Sequence, residues 1–279
     1  MADVSYSGVA GAKALRITAG KGVAPFTDTV TVEEPLEITV MDVHGHKMNA
    51  GIIMRTPVMD DCLAVGFLFT EGIISSYADI SSMEGIGSDG VCRSNSISVN
   101  LAEDLKIQPD MMPGRRYINS SCGICGKGSI DMVYMRTGRI QRSGIRVSAS
   151  TIASLPDALW ETQGIFSSTG GIHAAGLFTS EGSAVCSAED VGRHNAVDKV
   201  IGYSLMKGRT LDSAILQVSG RAGFEIVEKA AVAGIPIISS ISAPSSLAVE
   251  TCETLGITLL GFVRGRSFNV YSAPERITV

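Results

Sequence analysis

Two thiols three positions apart carry the most reactive chemistry in this sequence: Ser121-Cys122-Gly123-Ile124-Cys125-Gly126-Lys127-Gly128. A cysteine attacks through its thiolate, which needs access and nearby positive charge. Glycine at 123, 126 and 128 puts no side chain over either sulfur and leaves little preference for an ordered element. From Pro113 to Arg146 the chain carries Arg115, Arg116, Lys127, Arg136, Arg139, Arg142 and Arg146 against one acid, Asp131, although its overall net charge is −5. Cations in that number stabilise a thiolate relative to its free pKa of about 8.5 and attract anionic ligands. Charge alone is read most plainly as a solvated basic loop. The two thiols inside it favour chemistry.

The same pair suits other chemistries. A structural zinc site needs four ligands, and no second closely spaced pair joins Cys122 and Cys125, although His173, Cys186 or His194 could approach in space. A thioredoxin-like dithiol belongs at a helix start directly after a strand, which the glycine-rich flanks fit poorly. A zinc deaminase needs His-x-Glu followed by Pro-Cys-x-x-Cys. Here His173-Ala174-Ala175 lacks the glutamate and the cysteine pair lies upstream. G-x-x-x-x-G-K-[ST] does not occur, and Gly85-Ile86-Gly87-Ser88-Asp89-Gly90, which fits G-x-G-x-x-G, opens no helical pattern before the strand at Ile97, which argues against ordinary P-loop or dinucleotide recognition.

Further candidate groups cluster in the second half. Ala188 to Lys199 concentrates Glu189, Asp190, Arg193, His194, Asn195, Asp198 and Lys199 at a helix start. The bland account is an Asn195 cap with an Asp190 to Arg193 ion pair. Ser219-Gly220-Arg221 offers a hydroxyl, backbone N–H groups and a guanidinium, a seat for an anion. Ser242-Ala243-Pro244-Ser245-Ser246 offers hydroxyls that also suit a cap. Phe262-Val263-Arg264-Gly265-Arg266-Ser267 sets two arginines for bidentate phosphate contacts beside a phenylalanine able to stack on a flat ring. Together these groups predict a large ligand with phosphates and aromatic rings.

The elements that must position these groups follow from periodicity. Few signals occur before residue 30. Leu36 to Val40 and Gly51 to Met54 read as a hairpin turning at His44-Gly45-His46. Asp60-Asp61 reads as the cap of a helix running from Leu63 to the stop at Gly72, and Ile97 to Leu101 as another strand. Ile130 to Met135 fits helix or strand, and a boundary falls near 145. From there helices at 151–162, 195–206, 223–233 and 245–255 alternate with strands at 173–178, 184–187, 214–218, 236–241, 258–263 and 268–271. That alternation predicts a mainly parallel sheet with helices on both faces, a three-layer α/β domain. Ligands bind such sheets beyond the carboxyl ends of their strands. The predicted organisation is a smaller α+β N-terminal domain (1–112), a flexible basic loop with the Cys-x-x-Cys pair (113–146) and the α/β domain (147–279).

A chain of 279 residues buries a core without staples, and four of its six cysteines, Cys62, Cys92, Cys186 and Cys252, sit singly in apolar segments. That usage fits a reducing compartment. No secretory start and no apolar run of about 18 residues is present, so a cytoplasmic protein off the membrane is expected. Net acidity argues against nucleic acid as a partner.

These residues resemble the FdhD family of formate dehydrogenase accessory sulfurtransferases. The resemblance runs through Thr56-Pro57, Leu63 to Leu68 with Glu71-Gly72, Ser121 to Gly126, Thr169 to Ala175, Glu189 to Lys199, Ser219 to Arg221 and Ser242 to Ser246. It ends with Gly261 to Arg264 and Asn269 to Tyr271. Two departures are mild: Asp42-Val43-His44-Gly45 replaces an expected Asn-Gly turn, and Cys62 an expected acid. The resemblance implies a cytidine-deaminase-like fold in the larger domain and a homodimer. It implies sulfur taken as a persulfide from a cysteine desulfurase and delivered to the molybdenum of bis-molybdopterin guanine dinucleotide, the cofactor of formate dehydrogenase. Cys122 is then the carrier and Cys125 the thiol that helps expel the sulfur. Phe262 to Ser267, with Ser219, Arg221, His194 and Ser245, would hold the cofactor, which GDP should mimic. A thiol-disulfide oxidoreductase and a sulfur-independent cofactor chaperone are the alternatives.

Overall fold

A computed structural model describes residues 8–102, 126–137 and 144–279. The chain begins with an antiparallel ribbon that the sequence pattern did not announce, β1 (Val9–Thr18) and β2 (Gly22–Thr31), paired from Val9↔Thr31 to Thr18↔Gly22. Most of its residues face solvent on both sides, so the apolar alternation of a half-buried strand is missing. Its base is tied down where Thr31 Oγ1 donates to Gly171 O at 3.2 Å and lies 3.0 Å from Thr169 Oγ1.

The predicted hairpin follows as β3 (Glu34–Met41) and β4 (Lys47–Arg55). In the turn between them the Asp42 carboxylate accepts the His44 and His46 backbone N–H groups at 2.9 and 3.0 Å, doing the work of the expected asparagine. Next comes α1 (Asp60–Thr70). Its two aspartates do not cap it: the cap position is Met59, without a side-chain bond, and Asp60 is buried against the Arg55 guanidinium at 3.0 Å. With β5 (Ile80–Glu84) and β6 (Ser96–Leu101) the strands form a sheet in the order β4-β3-β6-β5. Its inward residues Leu36, Ile38, Val40, Ile97 and Val99 pack beneath Leu63 and Leu68 of α1. Each fully buried aliphatic side chain of this kind contributes about 1.5–3 kcal/mol.

Residues 126–137 form α2 (Gly126–Thr137), which decides the helix-or-strand question at 130–135 for helix; of the loop predicted across 113–146, residues 113–125 and 138–143 lie outside the described residues. Val133 and Ile130 are buried, and Val133 belongs to the main core, so tertiary burial overrides the cost of Gly126 and Gly128 in a helix. Arg136 donates to Thr70 O at 2.9 Å and pairs with Glu228 at 3.4 Å, while Arg146 donates to Glu275 O at 2.9 Å. These two cations of the basic stretch hold the fold together rather than guiding a ligand.

The larger unit runs β7 (Val147–Ser148), α3 (Ala149–Trp160), α4 (Gly164–Thr169), β8 (His173–Phe178), β9 (Ala184–Asp190), α5 (Arg193–Met206), β10 (Ile215–Val218) and α6 (Phe224–Val232). It continues with β11 (Ile237–Ser240), α7 (Ser246–Leu255), β12 (Thr258–Arg264), β13 (Ser267–Ser272) and β14 (Ile277–Thr278), the last pairing with β7. The six-stranded sheet has the order β13-β12-β11-β10-β8-β9. It is mixed rather than mainly parallel: β10, β11 and β12 run parallel, whereas β13, β8 and β9 add antiparallel edges. The β8–β9 hairpin needs no helix between its strands, which is why α/β alternation overstated the parallel share. One face packs Ile215, Ile237, Leu260 and Phe178 against Ile152, Leu155 and Leu159 of α3. The other packs Leu177, Leu216 and Ile238 against Val197, Val227 and Cys252 of α5, α6 and α7.

The seam between the two units is the α1–α5 crossing. A Cβ on Gly66 would collide with Asp198 O, and one on Gly202 with Cys62 O, so both glycines are set by backbone approach. Around that seam Asp190, Asn195, Asp198 and Lys199 of the charged run are buried. Asp190 pairs with Lys199 at 2.5 Å, not with Arg193, and neither side chain of the pair is exposed. Asp190 also accepts from Gly192 N and Asn195 Nδ2, each at 2.8 Å, and from Thr56 N at 3.2 Å. Lys199 Nζ donates to Thr56 O and Glu189 O at 3.0 and 3.2 Å. Asn195 reaches Met54 O at 2.7 Å instead of capping α5, whose cap position is Gly192.

Candidate functional site

The parallel strands β10, β11 and β12 end at one edge, and their exit loops bond to one another. Ser240 Oγ donates to Gly220 O at 2.7 Å, Ser245 N to Ala222 O at 3.1 Å and Phe262 N to Ser242 O at 3.1 Å. The edge predicted to bind ligand is therefore one continuous surface.

Phe262 carries its most unusual geometry. Its φ is +54°, in the left-handed region that an aromatic residue adopts only at a cost of about 1–3 kcal/mol. The register of β12 on β13 shifts between Gly261 and Arg264 at this point. Val263 stays fully buried in the α3-side core while Phe262 turns outward. Val263, singled out with its neighbours as a ligand residue, has its side chain packed in that core. The Arg264 guanidinium lies 5.8 Å from the Phe262 ring centroid. Gly265, at φ +62°, makes with Arg266 the tight turn to Ser267. Arg264 and Arg266 are exposed and have no acidic partner among the described residues, so the segment presents an aromatic face and two cations to solvent.

The other predicted residues divide. Arg221 is exposed in the loop before α6. Ser219 Oγ accepts from Ala174 N at 2.9 Å. Ser245 is the α7 cap, its hydroxyl accepting from Ala248 N at 3.2 Å, so the plainer reading of that serine holds. His194 sits in the first turn of α5 with Nε2 2.7 Å from the Glu225 carboxylate, whose pKa that contact holds below the usual carboxylate range. Cys122 and Cys125 lie outside the described residues. Cys125 directly precedes α2 in the chain, and α2 packs on α6 and α7, the two helices that start at this edge.

The other four cysteines are free thiols. Cys62, Cys92 and Cys252 are buried and Cys186 partly so. Burial pushes the Cys186 thiol up to about 11, and Cys62 and Cys252 rise further for the same reason. Among the described residues no group of three or more His, Cys, Asp or Glu side chains is placed to hold a metal ion.

A cavity of about 460 Å³, which the sequence reading missed, opens between α3, α4 and the start of β8. Trp160 and Phe166 form its aromatic wall, edge to face at 5.1 Å between centroids. Gln163, His173 and Ser219 are its polar lining. Burial keeps His173 below its usual pKa, and Arg193 and His194 act in the same direction. The only tryptophan in the chain and the Gly170-Gly171-Ile172-His173 run were the sequence signals for it.

Comparison with known proteins places this geometry. The model of the FdhD/NarQ family matches residues 31–278. A protein named sulfur carrier protein FdhD from Thermoplasma volcanium is 53% identical over 253 residues, 90% of this chain and 90% of its own. A protein of the same name from Thermoplasma acidophilum is 48% identical over 92% of this chain and 89% of its own. A crystal structure described as a putative formate dehydrogenase accessory protein from Desulfotalea psychrophila superposes with a TM-score of 0.75 at 28% identity, covering 97% of this chain and 99% of that one. The chain belongs to the FdhD/NarQ family.

Proposed function

We propose that this protein is a sulfur carrier required for formate dehydrogenase activity. The observation that carries the reading is the 53% identity, over nine-tenths of both chains, to a protein named sulfur carrier protein FdhD, and the formate dehydrogenase part rests on the structure described as a putative formate dehydrogenase accessory protein. The thiols support it: Cys62, Cys92 and Cys252 are buried and Cys186 partly so, and burial raises the pKa of Cys62, Cys186 and Cys252, which leaves Cys122 and Cys125 as the candidate nucleophiles in a basic stretch. The Cys122 thiolate attacks the outer sulfur of a cysteine desulfurase persulfide. The desulfurase S–S bond breaks, its thiolate leaves, and Cys122 becomes the persulfide with no net redox change. Cys125 as thiolate then attacks the inner sulfur, closing a Cys122–Cys125 disulfide and releasing hydrosulfide to the acceptor. A dithiol reductant must reopen the disulfide before the next cycle.

The acceptor in this reading is the molybdenum of bis-molybdopterin guanine dinucleotide. Its phosphates meet Arg264, Arg266 and Arg221, with Phe262 to Ser267 as one wall. Two exposed arginines without an acidic partner among the described residues, and the outward Phe262 ring, support this placement. We read the six-stranded sheet as the cytidine-deaminase-like layer that the family resemblance implies, in a cytoplasmic homodimer. No helix among the described residues is long and apolar enough to cross a membrane.

The test is mass spectrometry after incubation with desulfurase and cysteine. Wild type should gain one sulfur on Cys122, and Cys122→Ala should gain none while melting at the wild-type temperature. A purely intramolecular disulfide without added sulfur would instead support thiol-disulfide exchange. Activation of formate dehydrogenase in cells by Cys122→Ala would support a chaperone that carries no sulfur.

A further inference from the structure

We propose that Arg136 is a latch: it holds α2, the helix that directly follows the thiol pair in the chain, against the body of the protein, and its opening lets the pair serve two partners in turn. This rests on the sulfur-carrier reading above and adds to it a positioning residue outside the thiols.

A thiol pair that takes sulfur from another protein and passes it to a ligand held on this one must meet two surfaces. The element next to it therefore needs two positions, and α2 is lightly enough held to have them. Of its seven described side chains Ile130 and Val133 are buried, against nine of the eleven residues of α1 and nine of the fourteen of α5. Tyr134 and Met135 face solvent. Gly126 and Gly128 weaken the first turn, the end that adjoins Cys125. With so little apolar burial, polar contacts decide where this helix sits.

Arg136 ties α2 to two neighbouring helices at once. Its Nη2 donates to Thr70 O at 2.9 Å and its Nη1 lies 3.4 Å from Glu228 Oε1, so one guanidinium spans the end of α1 and the middle of α6. The Thr70 carbonyl suits this role. Of the last four carbonyls of α1, Phe67 O, Leu68 O and Phe69 O accept backbone N–H groups of Glu71, Ile73 and Gly72, and Thr70 O accepts Arg136. The C-terminus of a helix carries partial negative charge, which favours a cation there. Thr70 is itself fixed, because its hydroxyl donates to Asp198 Oδ1 at 2.8 Å and accepts from Lys229 Nζ at 3.0 Å, joining it to α5 and α6.

The contact is also placed where it can open. The Arg136 and Glu228 side chains are 30% and 31% exposed, so water can replace either partner, whereas in the Asp190–Lys199 pair neither side chain is exposed. An ion pair that water reaches breaks and reforms at little cost. Closed, the latch keeps α2 on α6 and α7, the helices that start at the strand-end edge. Its loss should therefore leave sulfur loading alone and slow delivery at that edge.

Hydrogen exchange and sulfur transfer on the full-length chain test this with Arg136→Ala, Arg136→Lys and Glu228→Gln. In Arg136→Ala the amides of residues 130–137 should exchange about tenfold faster, the effect of losing one charge-assisted hydrogen bond. Those of α5 should keep their wild-type rates. Mass spectrometry should find Cys122 loading sulfur from the desulfurase as fast as in wild type, while activation of formate dehydrogenase in cells, at matched protein level, falls about tenfold. Arg136→Lys keeps the charge without the fork that spans both acceptors and should recover part of that loss, and Glu228→Gln, which keeps an acceptor, should recover more. Faster exchange in every helix, or loading and delivery falling together, would make Arg136 a merely structural residue and overturn the latch. Unchanged α2 exchange, or unchanged activation, overturns it too and leaves the carrier reading standing. If wild-type Cys122 gains no sulfur, the carrier reading falls and takes the two-partner role of Arg136 with it, whatever the exchange rates.

Discussion

Replacing Lys199 with Met tests whether the charged run at 189–199 is a weld between the two units. The substitution keeps most of the side-chain volume and removes the ammonium. Lys199 Nζ lies 2.5 Å from Asp190 Oδ2 and donates to Thr56 O and Glu189 O at 3.0 and 3.2 Å, with neither charged side chain exposed. The variant leaves a fully buried carboxylate that still accepts from Thr56 N, Gly192 N and Asn195 Nδ2. Removing one partner of such a pair costs about 3–5 kcal/mol. The three remaining donors set the carboxylate's share toward the lower end, and two orphaned carbonyls add about 1 kcal/mol each. The expected loss is about 3–5 kcal/mol, a fall in Tm of about 6–20 °C. Urea unfolding of wild type, Lys199→Met, Asp190→Asn and the double variant measures it. The double variant should be less destabilised than the sum of the singles by about 1–3 kcal/mol, since Asp190→Asn removes the buried charge that Lys199→Met alone leaves unpaired. A loss below about 1 kcal/mol for Lys199→Met, or additive singles, would refute the buried-weld account and return this run to ligand binding.

Two shorter predictions test the seam and the thiols. Gly202→Ala places a methyl against Cys62 O across two helix backbones that cannot yield, and its stability loss in thermal melts should reach the upper end of the about 1–3 kcal/mol typical of overpacking. Brief iodoacetamide treatment of native protein at pH 8, followed by mass spectrometry, should label Cys122 and Cys125. Cys62, Cys186 and Cys252 should label only after denaturation, because burial holds each as a thiol; rapid native labelling of Cys186 would contradict its raised pKa of about 11.

Much of this fold was legible because its elements bury one face each. Leu36 to Val40 alternates because one side of β3 lies on the core. Strands β8, β10, β11 and β12 read as short apolar runs because helices cover both faces of their sheet. The ribbon β1–β2 escaped notice because neither face is buried, and the first turn of α2 because its glycines look locally like loop, while Ile130 to Met135 fitted helix and strand alike. Phe262, Arg264 and Arg266 could be singled out by type, since a guanidinium suits phosphate and a phenyl ring stacks on a flat ring.

What one-dimensional order determined was which groups exist: the cysteine pair, and the serines and arginines that lie at the strand ends. Which of them are spent internally was decided by tertiary structure alone. Asp190 and Lys199 satisfy each other, Arg136 is taken by Thr70 O and Glu228, Ser245 caps α7 and Val263 turns into the core. The aromatic cavity at Trp160, Gln163 and Phe166 comes together from a helix end, a link and a second helix only once the sheet beneath them has formed. Charge and polarity are local properties of a residue. Satisfaction is a property of the neighbours that folding supplies, and it separates the groups that hold this protein together from those left facing a ligand.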